Sequence, residues 1–179
     1  MNSKAQSPFR VSLHELPRRA GELREYVRDI VFTEGIGIPL LQIPPAQPIH
    51  LEFKAESVDD GVLISGTVQS RATGECGRCL EKIDMDIDQR FQELFLYSSR
   101  ASENPEDDDE IFLLDGDVAD LEIPIRDAVI LSMPINPICS QDCEGLCAEC
   151  GEKWRDLPDD HAHEALDPRW TGLEGWKSE

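Results

Sequence analysis

The sequence predicts an α+β fold in which an antiparallel β-meander forms the core, with a few helices and a cysteine-rich C-terminal tail. Apolar and polar residues alternate repeatedly between residues 49 and 97, Pro and Gly mark the connections, and the six cysteines fall into three closely spaced pairs. We therefore expect a β-rich core over residues 1–138, with an N-terminal helical segment and an acidic loop at 101–120. Residues 139–179 are expected to form a metal-binding tail packed on that core.

The net charge is −20 over 179 residues, which bears on partners more than on fold. Because an acidic surface repels phosphate, free nucleic acid is a poor default partner and a basic protein is a better one. The N-terminal residues lack the apolar run and cleavage site of a secretory signal, and the apolar stretch at 36–45 is too short to span a bilayer. We therefore expect a cytoplasmic protein without a membrane partner.

The N-terminal segment begins with a short apolar alternation at residues 9–13. Pro17 then stands where the first turn of a helix tolerates it, and apolar residues follow near helical spacing at Leu16, Leu23, Val27, Ile30 and Val31. This pattern predicts a helix. The segment is also the only locally basic part of the chain, so its arginines are candidate RNA contacts: Arg18, Arg19, Arg24 and Arg28.

Three strands are predicted after a Pro- and Gly-rich connector at 36–48. Residues 49–57 alternate in polarity, and a turn at Asp59, Asp60 and Gly61 joins them to a second alternating run. A third run over residues 80–97 continues the alternation through Ile83, Met85, Ile87 and Phe91. Consecutive strands joined by short turns indicate an antiparallel meander.

The acidic loop at 101–120 contains no Lys or Arg. Such a run is usually solvated, and it is a candidate contact for a basic partner through Glu106, Asp107, Asp108, Asp109 and Glu110. The next residues predict a helix, with Asp120 near its N-cap, Pro124 in its first turn and Pro134 after its end. That helix leads the chain to the cysteine-rich tail.

The cysteines form the pairs Cys76–Cys79, Cys139–Cys143 and Cys147–Cys150. In a reducing compartment, pairs at this spacing favour metal over a disulfide framework. A redox-active pair would be expected at a helix N-terminus, whereas Cys76 follows a predicted strand. Zinc is the predicted metal and makes the tail a zinc-knuckle tail, with rubredoxin-like iron as an alternative because thiolates suit both.

Two partitions of the ligands are open. In the first, site one contains Cys76, Cys79, Cys139 and Cys143, and site two contains Cys147, Cys150, His161 and His163. In the second, a single site contains Cys76, Cys79, Cys147 and Cys150. The two histidines would then belong to a solvated acidic loop. The predicted cofactor is accordingly structural zinc, as one or two ions.

The motifs GECGRCL, LEIPIRDAVILSMPINPIC, CEGLCAECG and LDPRW, in this order, resemble the YceD family of large ribosomal RNA subunit accumulation proteins. The resemblance extends over about residues 10–173, and the PDDHAHE segment is most similar to actinobacterial members. Many members carry Cys-x-Cys where this chain has His161-Ala162-His163. Imidazoles in place of thiolates preserve tetrahedral zinc chemistry, which favours the two-site partition.

The resemblance implies a role in 23S rRNA accumulation and large-subunit assembly, and it implies no catalytic residues. The sequence likewise has no phosphate-binding loop and no nucleophile elbow. We therefore expect a non-catalytic factor without a small-molecule substrate. Its expected partner is a large-subunit ribosomal protein or a pre-ribosomal particle, with 23S rRNA as a further possibility. The alternative is a metal-dependent ribonuclease or rRNA-processing enzyme.

Overall fold

A computed structural model describes residues 7–98, 111–163 and 169 of the chain. In this part of the chain the protein is mostly antiparallel sheet with one α-helix, and the main sheet curls into a half-barrel. In chain order the elements are β1 (Arg10–Ser12), β2 (Leu23–Val31), β3 (Ile36–Ile38), β4 (Leu41–Ile43), β5 (Pro48–Val58), β6 (Gly61–Glu75), β7 (Lys82–Leu96), β8 (Phe112–Leu113), β9 (Val118–Asp120) and α1 (Glu122–Ser132).

The predicted meander is confirmed as β5, β6 and β7. Strands β5 and β6 pair antiparallel from Val58 opposite Gly61, which places a tight turn at the predicted Asp59 and Asp60. Strands β6 and β7 pair over their full length, from Gly61 opposite Leu96 to Glu75 opposite Lys82. Alternate residues of these strands are buried, because one face of the sheet lies on the core.

The helix predicted after Pro17 is wrong, because residues 23–31 form strand β2, which pairs antiparallel with β5. Tyr26 and Ile30 point to the core face, where the Tyr26 ring stacks on Phe53 at 5.1 Å between ring centroids. Val27, which helical spacing places beside Ile30, is 63% exposed on the opposite face. Pairing with the long strand β5 and the β-branched residues of this segment outweigh its helical spacing.

Two smaller pairs of strands complete the sheets. The hairpin of β3 and β4 extends the main sheet along the far end of β6, where Leu41 lies opposite Gly74. Strands β1 and β9 form a separate two-stranded ribbon. Strand β8 joins the end of β7 in parallel. The buried side chains of these elements and of the meander form one hydrophobic core.

The helix predicted before the cysteine-rich tail is confirmed as α1. The Asp120 carboxylate stabilises the start of the helix, because it accepts a hydrogen bond from the Glu122 N–H at 3.2 Å. Ile125 and Val129 lie on the inner face of the helix and are fully buried. The helix ends at Ser132, and the next residue, Met133, has an extended backbone before Pro134. A few helices were expected, but α1 is the one α-helix in the described part of the chain, and Trp154–Asp156 form a short 3₁₀ turn.

The acidic loop predicted at 101–120 lies partly outside the described residues, including all of Glu106–Glu110. Its second half is not a solvated loop, because it contains β8 and β9. Two of its carboxylates form ion pairs at 2.6 Å, Asp115 with Arg10 and Asp117 with Arg18. No helix in the described part of the chain is long and apolar enough to cross a membrane.

Candidate metal centres

Site one lies where the turn between β6 and β7 meets the chain that follows α1. Cys76 and Cys79 flank this turn, and the second pair of ligands comes from Cys139 and Cys143. The Cys76 and Cys143 Sγ atoms are 3.8 Å apart, and those of Cys79 and Cys139 are 3.6 Å apart. These distances exclude S–S bonds, which are about 2.05 Å long. All four sulfur atoms lie within 4.8 Å of one another.

The spacing of these sulfurs is that of a tetrahedral thiolate site. Zinc–sulfur bonds of about 2.3 Å at the tetrahedral angle separate neighbouring sulfurs by about 3.8 Å. The two measured Sγ–Sγ distances, 3.8 Å and 3.6 Å, match this edge length. The cluster could therefore hold a metal ion.

The turn over residues 76–81, called knuckle one below, is closed by the backbone. The Cys76 N–H donates to the Glu81 carbonyl at 2.8 Å, and the Leu80 N–H donates to the Cys76 carbonyl at 2.9 Å. The Arg78 N–H points at the Cys76 Sγ at 3.4 Å. Leu80 has a φ of +57°, a left-handed conformation that side chains rarely adopt. The turn thus directs both sulfurs to the same side.

The chain after α1 is held against knuckle one by hydrogen bonds from two of the knuckle's residues. The Gly77 N–H donates to the Pro137 carbonyl at 2.7 Å, and any side chain at position 77 would collide with Asn136. The Arg78 guanidinium donates to the Cys143 carbonyl at 2.8 Å. These contacts place Cys139 and Cys143 over the buried pair Cys76 and Cys79.

The thiols of site one differ in acidity. Burial opposes ionisation of Cys76, but hydrogen bonds from the backbone N–H groups of Cys79 and Arg78 outweigh it and lower the pKa of Cys76 to about 6. Burial, together with the neighbouring thiols, raises the pKa of Cys143 to about 12. One cysteine of site one therefore ionises readily. Ionising several of them together is unfavourable unless a cation neutralises their charge.

Site two is formed entirely by the short segment between residues 147 and 163. Its ligand atoms come from Cys147, Cys150, His161 and His163 and also lie within 4.8 Å of one another. The Cys150 Sγ and His161 Nε2 atoms are 3.6 Å apart. A tetrahedral zinc ion with one bond to sulfur and one to nitrogen separates those atoms by about 3.6 Å. This cluster could also hold a metal ion.

The turn over residues 147–152, called knuckle two, repeats the backbone of knuckle one. The Cys147 N–H donates to the Glu152 carbonyl at 2.8 Å, and the Gly151 N–H donates to the Cys147 carbonyl at 2.9 Å. Gly151 has a φ of +76°, at the position that Leu80 occupies in knuckle one. The backbone N–H groups of Cys150 and Glu149 lower the pKa of Cys147.

The histidines of site two reach knuckle two through a compact turn. Leu146 and Lys153 form an isolated antiparallel bridge, and the 3₁₀ turn Trp154–Asp156 follows. The Trp154 ring contacts the edge of the His161 ring at 5.5 Å between centroids. The His161 and His163 rings are 4.4 Å apart. Trp154 thus lies beside the imidazole that approaches Cys150.

The structure gathers the eight predicted ligands into the two groups of the two-site partition. The single-site alternative needs Cys76 and Cys79 in one cluster with Cys147 and Cys150, and the structure places these two pairs in different clusters. Two residues that the sequence did not single out, Glu81 and Arg155, join knuckle one to the segment after knuckle two. One signal pointed to Glu81: the pattern Cys-x-x-Cys-x-Glu occurs in both knuckles, with Glu81 and Glu152 at its end.

The four predicted RNA-contacting arginines lie on β2 and in the turn before it. Arg24 and Arg28 are exposed on the side of β2 that carries Tyr26, and Arg19 is exposed in the turn. Arg18 is engaged within the protein, since it pairs with Asp117 at 2.6 Å and lies 4.9 Å from the centre of the Tyr97 ring. The predicted partner contacts Glu106–Glu110 lie outside the described residues.

Comparison with known proteins gives one family and several relatives. The family model described as "Large ribosomal RNA subunit accumulation protein YceD" matches residues 64–177. An uncharacterized protein of Mycobacterium tuberculosis is 38% identical over 167 residues, which cover 93% of this chain and 80% of that protein. An uncharacterized protein of Mycobacterium leprae is 35% identical over 168 residues, covering 93% and 76%.

A more distant relative is the uncharacterized protein YlbN of Bacillus subtilis, which is 22% identical over 163 residues, covering 90% of this chain and 91% of that protein. No solved structure matches the chain significantly.

Proposed function

The chain belongs to the YceD family of large ribosomal RNA subunit accumulation proteins, and from this membership we propose that it is a non-catalytic factor for assembly of the large ribosomal subunit. In this proposal it supports 23S rRNA accumulation by binding a ribosomal protein or a pre-ribosomal particle, while zinc in sites one and two stabilises its structure. Residues 1–138 form the β-rich core and residues 139–179 a metal-binding tail. Site one takes two ligands from each side of that boundary, which supports packing of the tail on the core.

The observation that carries the non-catalytic role is the number of protein ligands in each cluster. Each of the two clusters offers four ligand atoms from the protein. A structural zinc site has four protein ligands, whereas a catalytic zinc site keeps one position open for water or substrate. Metal bound in these clusters would therefore lack the activated water that a metal-dependent ribonuclease requires. The mixed thiolate and imidazole set of site two supports zinc over iron.

Surface charge supports a basic protein as the direct partner. Asp86 and Asp88 are exposed on the face of β7 turned away from the core, beside Asp84, which pairs with Arg71 at 3.6 Å, and the net charge of the chain is −20. Such a surface attracts basic ribosomal proteins and repels phosphate. Because Arg18 is already bound to Asp117 and packed on Tyr97, it is less available to RNA. We propose that Glu106–Glu110 also contact this partner.

The proposal is tested in cells depleted of the protein and supplied with variants. Depletion is expected to lower the ratio of 23S to 16S rRNA, and the wild-type protein should restore the ratio and sediment with large-subunit precursors. Cys79→Ser, which removes a ligand of site one, should restore neither. An unchanged rRNA ratio, together with no co-sedimentation of the wild type, would contradict the proposed function.

Two charge variants in the same cells identify the partner. Neutralising Glu106–Glu110 should weaken co-sedimentation and reduce its dependence on salt, because long-range attraction to a basic partner is lost. Co-sedimentation should change little when glutamine replaces Arg18, Arg19, Arg24 and Arg28. The opposite pattern would assign the interaction to rRNA, since each lost phosphate contact lowers the salt slope by about 0.7 for single-stranded RNA.

A further inference from the structure

Site two has little structural support of its own. All four of its ligands come from residues 147–163, and Cys147 alone among them is buried. Site one, by contrast, draws Cys76 and Cys79 from the ends of two long paired strands, where both are buried. The support for site two must therefore come from what its segment contacts.

One contact is an ion pair between the knuckles' segments. The Arg155 guanidinium donates a hydrogen bond to Glu81 Oε1 at 2.8 Å, and its other terminal nitrogen lies 2.7 Å from Glu81 Oε2. The Lys153 ammonium lies 3.8 Å from the same carboxylate. Two-pronged pairing of this kind fixes orientation as well as distance. Glu81 also closes knuckle one, because its backbone carbonyl accepts the Cys76 N–H. One residue therefore contacts both the turn of site one and the segment of site two.

A second contact places Gly145 directly on knuckle one. A Cβ atom at Gly145 would lie 3.1 Å from the Arg78 carbonyl, so only glycine allows this approach without displacement. The Gly145 carbonyl accepts a hydrogen bond from the Trp154 N–H at 3.1 Å, and the Trp154 ring contacts His161. A continuous series of contacts thus runs from knuckle one to a ligand of site two.

We propose that Glu81 is a positioning residue that makes the two metal centres cooperative, so that site two binds its metal tightly only when site one is filled. Metal in site one orders knuckle one, which fixes the Glu81 carboxylate and the surface beneath Gly145. Arg155 and Trp154 are then held where His161 can complete site two. This inference rests on the proposed function, because it requires metal in both clusters. Coupling of this kind is reciprocal and typically amounts to about 5- to 150-fold in affinity.

The test is a titration of the metal-free, reduced full-length protein with Co²⁺ alone, since cobalt reports thiolate and imidazole ligands by its absorption. Cys139→Ser with Cys143→Ser abolishes site one and leaves the sheet residues Cys76 and Cys79 in place. Site two is expected to bind Co²⁺ about tenfold more weakly in this variant. Far-UV circular dichroism checks that the sheet remains folded.

Glu81→Gln keeps every ligand and tests the ion pair even if the serine variant unfolds. This substitution should lower the Co²⁺ affinity of site two about threefold, the effect of losing a partly exposed ion pair. The Co²⁺ affinity of site one should stay nearly unchanged. Combining Glu81→Arg with Arg155→Glu should restore the affinity of site two. The matched control is Glu122→Gln, which removes a comparable ion pair with Arg126, at 3.0 Å on α1. It should leave the Co²⁺ affinity of both sites unchanged.

Equal affinity of site two in the wild type, the serine variant and Glu81→Gln would overturn the inference while leaving the proposed function intact. Failure of the wild-type protein to bind any Co²⁺ or Zn²⁺ would instead contradict the metal sites of the proposed function.

Discussion

Knuckle one and knuckle two share one backbone design. In each, the N–H of the first cysteine donates at 2.8 Å to the carbonyl of a glutamate five residues on, and the residue after the second cysteine donates back at 2.9 Å. That residue has positive φ in both, at Leu80 and Gly151. The two turns differ in what surrounds them. Knuckle one joins strands β6 and β7, whereas knuckle two is followed by one isolated bridge and a 3₁₀ turn.

The difference shows that the local motif sets the geometry of the ligands and the surrounding packing sets their stability. Cys76 is fully buried in knuckle one, and its loss would disturb the end of the main sheet. Cys150 in knuckle two is exposed, and its segment can open without exposing the core. Regions with few buried apolar contacts are the ones that unfold locally. The same substitution should therefore have unequal consequences in the two knuckles.

The largest expected effect comes from matched serine substitutions, Cys79→Ser in knuckle one and Cys150→Ser in knuckle two. With zinc present, Cys79→Ser should lower the free energy of unfolding by about 4 kcal/mol, the stabilisation given by a ligand at a thousand times its Kd. Cys150→Ser should lower it by only about 1.4 kcal/mol, the free energy of a tenfold coupling between the centres, because all four ligands of site two lie in one short segment. Urea denaturation followed by far-UV circular dichroism measures both. Equal losses would show that the two knuckles are equally integrated into the fold.

A smaller effect is expected from exchanging the residues with positive φ. Gly151→Ala should weaken metal binding at site two about fivefold, because a left-handed conformation costs a residue with a Cβ about 1 kcal/mol. Leu80→Gly relieves the same strain in knuckle one but adds freedom to the unfolded chain. It should therefore change the free energy of unfolding by less than about 1 kcal/mol. Chelator competition measures the first and urea denaturation the second. A large loss of stability in Leu80→Gly would mean that the Leu80 side chain, although 57% exposed, makes an essential contact.

The sequence was informative about the fold wherever a strand buries one face and leaves the other in water. Residues 82–96 alternate in this way, and they form β7 as predicted. Strand β2 was not recognised because it lies at the sheet edge, where Val27 and Val31 remain exposed and blur the alternation. Its conformation is decided by hydrogen bonds to β5, which are distant in sequence. No local pattern contains that information.

The ligands could be proposed from the sequence because paired cysteines followed by paired histidines have the spacing of zinc ligands. Their partition required the fold, which places Cys139 and Cys143 over knuckle one. The pair between Glu81 and Arg155 links residues 74 positions apart. Neither residue is unusual in so charged a chain. Leu80 was also inconspicuous, since glycine is the residue usually associated with positive φ.

Two metal centres of different ligand composition, built on one turn design, give the protein a characteristic zinc content and ligand shell. Elemental analysis combined with X-ray absorption at the zinc edge measures both on the purified protein. We expect two zinc ions per chain. The six cysteines and two histidines shared between them give an average shell of three sulfurs at about 2.3 Å and one nitrogen at about 2.0 Å. In His161→Ala with His163→Ala, one zinc should remain, with four sulfurs. One zinc per wild-type chain, bound by four sulfurs and unchanged in the histidine variant, would show that site two does not bind zinc.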